Sequence, residues 1–292
     1  MISSRNPHLI LGIICNTSKP ECQSALPEFL LWLRQLGGNF VADKALVSLL
    51  GDLPQAYYPR EEIAKHCSVV LSFGGDGTLL STARAVGTAE TPILGVNFGG
   101  LGYLAEISPE GLKERFKDFL AGRYQVETRM LLEARVKNNG SGHKKYYALN
   151  DVVVEKGGVS RIIKLRATIE GEYLNTYHAD GIIISTPTGS TGYSLSAGGP
   201  ILEPTMEGII INPICPHTLA HRPIVIRADK TIEIAPEQNY TDLIFSCDGF
   251  LEQRLTPGAS VVIKKSDRVV KLISMKGTYF YNILREKLNW GI

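Results

Sequence analysis

The sequence predicts an α/β domain built on a parallel sheet, followed by a mostly β domain. In the first part, apolar runs alternate with helical patterns and end in glycine turns: Val69–Phe73 runs into Gly74-Gly75, and Ile93–Asn97 into Phe98-Gly99-Gly100. From about Tyr124 the chain changes to many short strand-like runs separated by turn residues. Its 292 residues, 44% hydrophobic and 21% charged, suffice for two domains with ordinary cores. The expected divisions are an α/β domain over 1–123, a β-rich domain over 124–275, and a C-terminal segment, 276–292, that packs back on the first domain.

Taken in order, Leu9–Cys15 reads as a strand, Asn16–Pro20 as a loop, and 21–36 as an amphipathic helix stopped by Gly37-Gly38. A short helix is expected over 60–65, then the strand 69–73, then a helix opened by Thr78. Thr91-Pro92 introduces the strand Ile93–Asn97, and Pro109–Ala121 reads as a helix with Leu112, Phe116, Phe119 and Leu120 on its apolar face. Ligands on parallel sheets sit at the carboxyl ends of strands, where both glycine turns fall. In the second domain, strands are expected over 131–136, 146–154, 162–169, 182–185, 209–211, 224–226, 231–234, 243–246 and 260–264. Asn138–Gly142 marks a hairpin turn, the whole suggests a sandwich or similar, and Tyr281–Trp290 is helix-like.

Composition excludes several classes. A net charge of +2 argues against bulk nucleic-acid binding and gives no strong field for a membrane surface. No apolar run reaches membrane-spanning length, and the N-terminus carries no signal-peptide pattern. Cys15, Cys22, Cys67, Cys215 and Cys247 are scattered without a C-x-x-C pair, which fits free thiols in a reducing cytosol and no structural zinc. A cytoplasmic protein without nucleic-acid or membrane partners is expected.

Three stretches carry chemistry. Ser68–Thr78 reads strand, glycine turn, helix, a geometry that leaves backbone N–H groups free for phosphate; Gly74, Gly75 and Thr78 are the candidates here, with Gly99 and Gly100 in the second turn. Asp76 inside the turn repels phosphate unless it has a task, such as holding Mg²⁺ or accepting a proton; the alternative is an aspartate that bonds its own backbone. The stretch is neither a Walker loop nor Gly-x-Gly-x-x-Gly. Next, an apolar strand before Ser185 runs into a loop with Thr186, Thr188, Ser190, Thr191, Ser194 and Ser196, whose hydroxyls can read a base edge and a ribose, with Tyr193 adding a ring and a phenol. The third is Asn150-Asp151, where an amide can pair with adenine and a carboxylate can accept from a ribose diol; alone, such a pair is more often a turn.

Together these residues resemble the NAD kinase family. The resemblance rests on Gly74-Gly75-Asp76-Gly77-Thr78, Asn150-Asp151 and Thr186-Pro187-Thr188-Gly189-Ser190-Thr191-Gly192-Tyr193. Supporting matches are Gly95-Val96-Asn97, Leu101–Leu104, Arg129–Leu131, Cys215-Pro216-His217 with Arg222-Pro223, and Cys247-Asp248-Gly249. It implies a Rossmann-like first domain of the kind diacylglycerol kinases share, and ATP-dependent phosphorylation of the adenosine ribose 2′-hydroxyl of NAD to give NADP. By the likeness Asp76 is the general base; Gly77, Asn150, Asp151, Arg161, His178, Asp180, Thr188 and Thr191-Gly192-Tyr193-Ser194-Leu195-Ser196 bind NAD. Mg²⁺ or another divalent metal comes with ATP, no protein metal ligand is assigned, and a homo-oligomer, tetramer or dimer, is implied. This chain departs from the family pattern at His178, where arginine is common in bacteria, and at Phe250, where glutamine is common. A lipid kinase of the diacylglycerol class and a non-catalytic dinucleotide-binding module remain open alternatives at this point.

Overall fold

The computed structural model describes residues 9–98, 102–104, 107–137, 144–158, 162–218, 220–238, 240, 242–275 and 280–290. The chain divides into two compact units, 1–128 with 270–292, and 129–269. These divisions fall within two long strands, where the sequence reading had placed them at 123/124 and 275/276.

In the first unit the elements are β1 (Ile10–Cys15), α1 (Pro20–Gln35), β2 (Asn39–Asp43), α2 (Val47–Leu50), β3 (Tyr57–Tyr58), β4 (Val69–Gly74), α3 (Asp76–Val86), β5 (Ile93–Asn97) and α4 (Leu112–Leu120). The sheet runs β3-β2-β1-β4-β5, with every pairing parallel. β4 alternates between two faces, as a strand must. Leu71 and Phe73 join a core with Leu26, Phe29 and Leu33 of α1 and Phe116 of α4. Phe29 lies edge-on to Phe116 at 5.1 Å and tilted to Phe73 at 5.6 Å, so aromatic contacts bind both helices to this face. Ser72 points the other way and bonds Thr82 of α3 at 2.9 Å. Helices on both faces explain why these strands read as continuous apolar runs.

The strand β6 (Tyr124–Lys137) leads into the second unit, which holds β7 (Lys145–Ala148), β8 (Asp151–Lys156), β9 (Ile163–Ile169), β10 (Glu172–Ala179), β11 (Gly181–Ser185), α5 (Tyr193–Ser196), β12 (Gly208–Ile214), β13 (Ile224–Arg227), β14 (Ile232–Pro236), β15 (Leu243–Cys247) and β16 (Phe250–Leu255). The sixteen-residue β17 (Ser260–Met275) starts here against β14 and ends in the first unit, where Leu272 pairs with Ile93; α6 (Phe280–Leu288) follows. One sheet is β13-β12-β11-β8-β15-β16, all antiparallel. The other joins β10, β9, β14 and the start of β17. Both sheets, with β6 and β7, feed one core around Leu132, Val154, Leu165, Ile184, Phe245 and Ile263. This is the sandwich architecture the alternating runs implied.

Several local expectations need correction. The helix after the glycine turn begins at Asp76, not Thr78, because Gly75 takes the cap position and an acidic residue suits the positive end of a helix. The run 146–154 is two strands broken at Leu149-Asn150. The strand expected over 260–264 continues to Met275. The 60–65 helix is a single 3-10 turn, Ile63–Lys65. β2, β3, β10 and β16 went unread. The proposed hairpin turn 138–142 lies outside the described residues, though its flanks, β6 and β7, pair antiparallel.

Candidate active site

In the first unit the site is built at the end of β4. The strand closes on Gly74, where a β-carbon would stand 2.2 Å from Thr78 Oγ1, so only glycine lets the helix start this close. Gly75 caps α3, leaving Asp76 and the exposed Gly77 in its first turn. The Asp76 carboxylate is held by the loop after β5. Tyr103 N–H donates to Oδ2 at 2.8 Å, and Leu104 N–H donates to Oδ1 at 3.1 Å. Gly102 permits this approach, since a β-carbon there would fall 2.2 Å from Asp76 Oδ1. Burial, and then the nearby Asp76 charge, raise the Tyr103 phenol above its ordinary pKa. Beyond β1, the Lys19 ammonium donates to the Phe98 carbonyl at 3.0 Å, and a β-carbon on Gly75 would sit 3.5 Å from it.

In the second unit the break between β7 and β8 forms a turn carrying Asn150. Asp248 organises it: its carboxylate accepts N–H bonds from Leu149 at 2.8 Å, Asn150 at 2.6 Å and Asp151 at 3.1 Å. Asp248 adopts φ of 53° beside Gly249, and its own N–H returns a bond to the Asp151 carbonyl at 2.9 Å. The turn is closed from the other side by Gly189, where a β-carbon would lie 2.1 Å from the Asn150 carbonyl oxygen. Asn150 Oδ1 and Thr188 Oγ1 are buried without a hydrogen-bond partner among the described residues. Buried polar atoms are nearly always paired, so two orphans in adjoining segments make this turn a candidate place for a polar ligand.

The hydroxyl loop differs from its sequence reading. It is not open loop but a 3-10 turn, Thr188–Thr191, followed by α5. Most of its hydroxyls face inward. Ser185 Oγ donates to the Asn150 carbonyl, Thr186 Oγ1 to the Leu149 carbonyl at 2.6 Å, and Ser190 Oγ to the Pro187 carbonyl at 2.6 Å. Thr191 Oγ1 reaches the Thr188 carbonyl at 3.3 Å, and Ser194 Oγ accepts from Asn212. Ser190 and Thr191 bond carbonyls three residues back within the turn, whereas Ser185 and Thr186 bond carbonyls of the Leu149-Asn150 break and so tie the two segments together.

Charge concentrates on the face of β8 that α5 approaches. Asp151 is buried and its carboxyl is pushed up to about 7, first by burial, then by Asp248 and Glu155. Burial also raises Glu155. The Tyr193 phenol is raised by burial and then by Glu155, Cys215, Asp151 and Asp180. Asp180 has a partner: its Oδ1 pairs with Lys156 Nζ at 2.7 Å. His178 is exposed on β10, and its carbonyl accepts the His217 N–H at 2.9 Å. Phe250 is also exposed.

The first unit thus gathers Gly74, Gly75, Asp76, Gly77 and Thr78, and the second gathers Asn150, Asp151, Thr188, Gly192 and Tyr193; Ser194 is buried, Leu195 half-buried and Ser196 exposed on α5. Gly99, Gly100 and Arg161 lie outside the described residues. Sequence reasoning missed Lys19 and gave Asp248 no task. A lysine at a helix cap, and an aspartate before glycine, were the available signals.

The family model described as the ATP-NAD kinase N-terminal domain matches residues 11–124, and that of the ATP-NAD kinase C-terminal domain matches 149–275. An NAD kinase of Magnetococcus marinus is 40% identical over 283 residues, covering 96% of this chain and 93% of the relative. An NAD kinase of Prosthecochloris aestuarii is 42% identical over 280 residues, covering 96% of each. Among solved structures, yeast NADH kinase complexed with NADH matches with a TM-score of 0.87 at 25% identity, over 97% of this chain and 88% of that one. An NAD kinase from Archaeoglobus fulgidus in complex with ATP shares the fold, with a TM-score of 0.75 at 24% identity over 96% of this chain and 99% of that one. This chain belongs to the ATP-NAD kinase family.

Proposed function

We propose that Asp76 is the general base of the family reaction, in which ATP phosphorylates NAD, and that the phosphate goes to the 2′-hydroxyl of the adenosine ribose. The observation that carries this reading is the Asp76 carboxylate, fixed by two backbone N–H groups in the first turn of α3. A carboxylate has about four lone-pair directions. Two are taken, so others remain to orient a hydroxyl and receive its proton. A ribose hydroxyl attacks poorly until an acceptor is aimed at it, and phosphoryl transfer depends mainly on positioning and charge stabilisation.

The Asn150 turn takes the adenosine. The unpaired Asn150 Oδ1 suits an exocyclic amine, and Asp151 accepts from the ribose diol. Thr188 offers its free hydroxyl, while Gly77 and Thr191–Ser196 line the adenosine, with Asp180 toward the nicotinamide. Gly74, Gly75, Thr78, Gly99 and Gly100 are the phosphate-binding positions. Arg161 and the exposed His178 reach the dinucleotide across a subunit contact in a tetramer or dimer. The likeness to a yeast enzyme complexed with NADH makes the reduced dinucleotide a second candidate acceptor.

Among the described residues no group of three Asp, Glu, His or Cys side chains forms a metal ligand set. Mg²⁺ would come with the donor, held by ATP phosphates and water, and would neutralise phosphate charge. The proposed location is cytoplasmic, from the scattered cysteines without a C-x-x-C pair; no described helix is long and apolar enough to span a membrane.

The test is a coupled assay with purified protein, Mg²⁺-ATP and NAD, in which NADP is detected by an NADP-specific dehydrogenase. Asp76→Asn should lose roughly 10³-fold in turnover while still binding NAD. Near-normal turnover in that variant would remove the base role. No NADP or NADPH from folded wild type, with either dinucleotide, would sink the reaction itself.

A further inference from the structure

We infer that Lys19 is a positioning residue for the donor's polyphosphate, an inference that rests on the kinase reading above. The argument begins with topology. In the order β3-β2-β1-β4-β5 the chain builds outward from β1 in one direction, then returns to lay β4 on its other side. The order reverses between β1 and β4. In open α/β sheets ligands bind outside the carboxyl ends of the two strands at such a reversal. Asp76 stands just past β4 and Lys19 just past β1, so both lie at the carboxyl ends of the two strands that flank the reversal.

Distance agrees. The Lys19 ammonium lies 3.5 Å from where a Gly75 β-carbon would be, beside the cap of α3, and it bonds the Phe98 carbonyl at 3.0 Å. Phe98 opens the loop that later grips Asp76 through Tyr103 and Leu104. One ammonium therefore stands beside the open side of the glycine turn and bonds Phe98, at the start of the stretch that leads to Tyr103 and Leu104.

Local electrostatics give the independent reason. Lys19 is the cap residue of α1 and makes no side-chain cap bond. Ser, Thr, Asp and Asn serve that position well, whereas a cation opposes the positive end of the helix. The start of α3 adds a second positive helix end nearby, and each first turn carries one acid, Glu21 in α1 and Asp76 in α3. Among the described residues Lys19 has no ion pair to offset this; its ammonium bonds only a carbonyl. A lysine standing against local preference, beside a glycine turn at the switch point, is suited to a multiply charged anion.

In the transfer, the 2′-oxygen bonds to the γ-phosphorus, and its proton passes to Asp76. The bond from the γ-phosphorus to the bridging oxygen breaks, and its electron pair stays on that oxygen, giving ADP. Lys19 is placed to hold the β- and γ-phosphates and to offset the charge that builds on the bridging oxygen.

The experiment compares Lys19→Met, which keeps the aliphatic stem, with Lys19→Arg, varying ATP and NAD separately in the coupled assay. Lys19→Met should raise KM for ATP about 10-fold and lower kcat about 10- to 100-fold, with KM for NAD within about 2-fold and an unchanged melting temperature. Lys19→Arg should restore most of kcat. Overturning results are a kcat/KM for ATP within about 2-fold of wild type in Lys19→Met, or equal losses toward ATP and NAD with a lowered melting temperature. If folded wild type makes neither NADP from NAD nor NADPH from NADH, the parent reading fails on its own. Calorimetric titration with Mg²⁺-ATP then decides Lys19: weaker binding in Lys19→Met supports the role, and equal affinity overturns it.

Discussion

Each unit contains an aspartate whose carboxylate takes backbone N–H groups from a distant segment. Asp76 takes Tyr103 and Leu104; Asp248 takes Leu149, Asn150 and Asp151. The bonds are alike, but under the proposed reaction their purposes are opposite. At Asp76 the loop holds still the carboxylate proposed as the base. At Asp248 the carboxylate holds still the turn whose side chains are proposed to meet the dinucleotide. Which partner is the tool depends on which keeps unused polar capacity. Asp76 retains lone pairs, whereas in the turn that Asp248 holds and the segment against it, the buried atoms left without a hydrogen-bond partner are Asn150 Oδ1 and Thr188 Oγ1.

Four substitutions or conditions test this contrast. Asp76→Asn, with its roughly 10³-fold loss, is the largest expected effect. Gly102→Ala comes next. Its β-carbon, 2.2 Å from Asp76 Oδ1, must push the loop off the carboxylate, so kcat should fall about 10- to 100-fold with little change in KM for NAD. If kcat holds, the loop's grip does not matter for turnover. Asp248→Ala should act the other way, raising KM for NAD about 10-fold more than it lowers kcat and leaving KM for ATP in place. Unchanged KM for NAD would make Asp248 a folding clamp alone.

The smallest effect is pH-dependent stability. Asp151 keeps its proton up to about 7, against an ordinary 3.8. Between these values the native state binds more protons than the unfolded state, so this group's contribution declines as pH rises through the window and is level above it. The stability advantage of Asp151→Asn over wild type should therefore grow by about 1–3 kcal/mol from pH 4 to pH 8, read from urea midpoints. Asp248→Asn removes one of the raising charges and should shift that window downward. A difference that is flat in pH would show that Asp151 is not held neutral.

The sequence carried the β4–turn–α3 unit because everything that defines it is local: an apolar run, glycines that permit close approach, and an amphipathic helix. The long-range partners were not legible. The residues that bond Asp248 lie 97 to 99 positions away, and Lys19 meets Phe98 across 79. No periodicity encodes such contacts. β10 and β16 escaped because they are sheet-edge strands with exposed side chains, so their hydrophobic alternation is weak. The hydroxyl loop misled for another reason: composition reports how many donors exist, not which way they point.

The inward-facing hydroxyls of that loop have one more consequence. A surface rich in serine and threonine usually adapts to its guest, but here Ser185, Thr186 and Ser190 are engaged with carbonyls of the protein itself. The ordering entropy of those side chains is settled during folding rather than at binding. If the adenosine proposed above docks against this loop, a ligand already rigid in its bound conformation is favoured, and an inhibitor should gain more from locking its glycosidic torsion than from added polar groups that court the engaged hydroxyls.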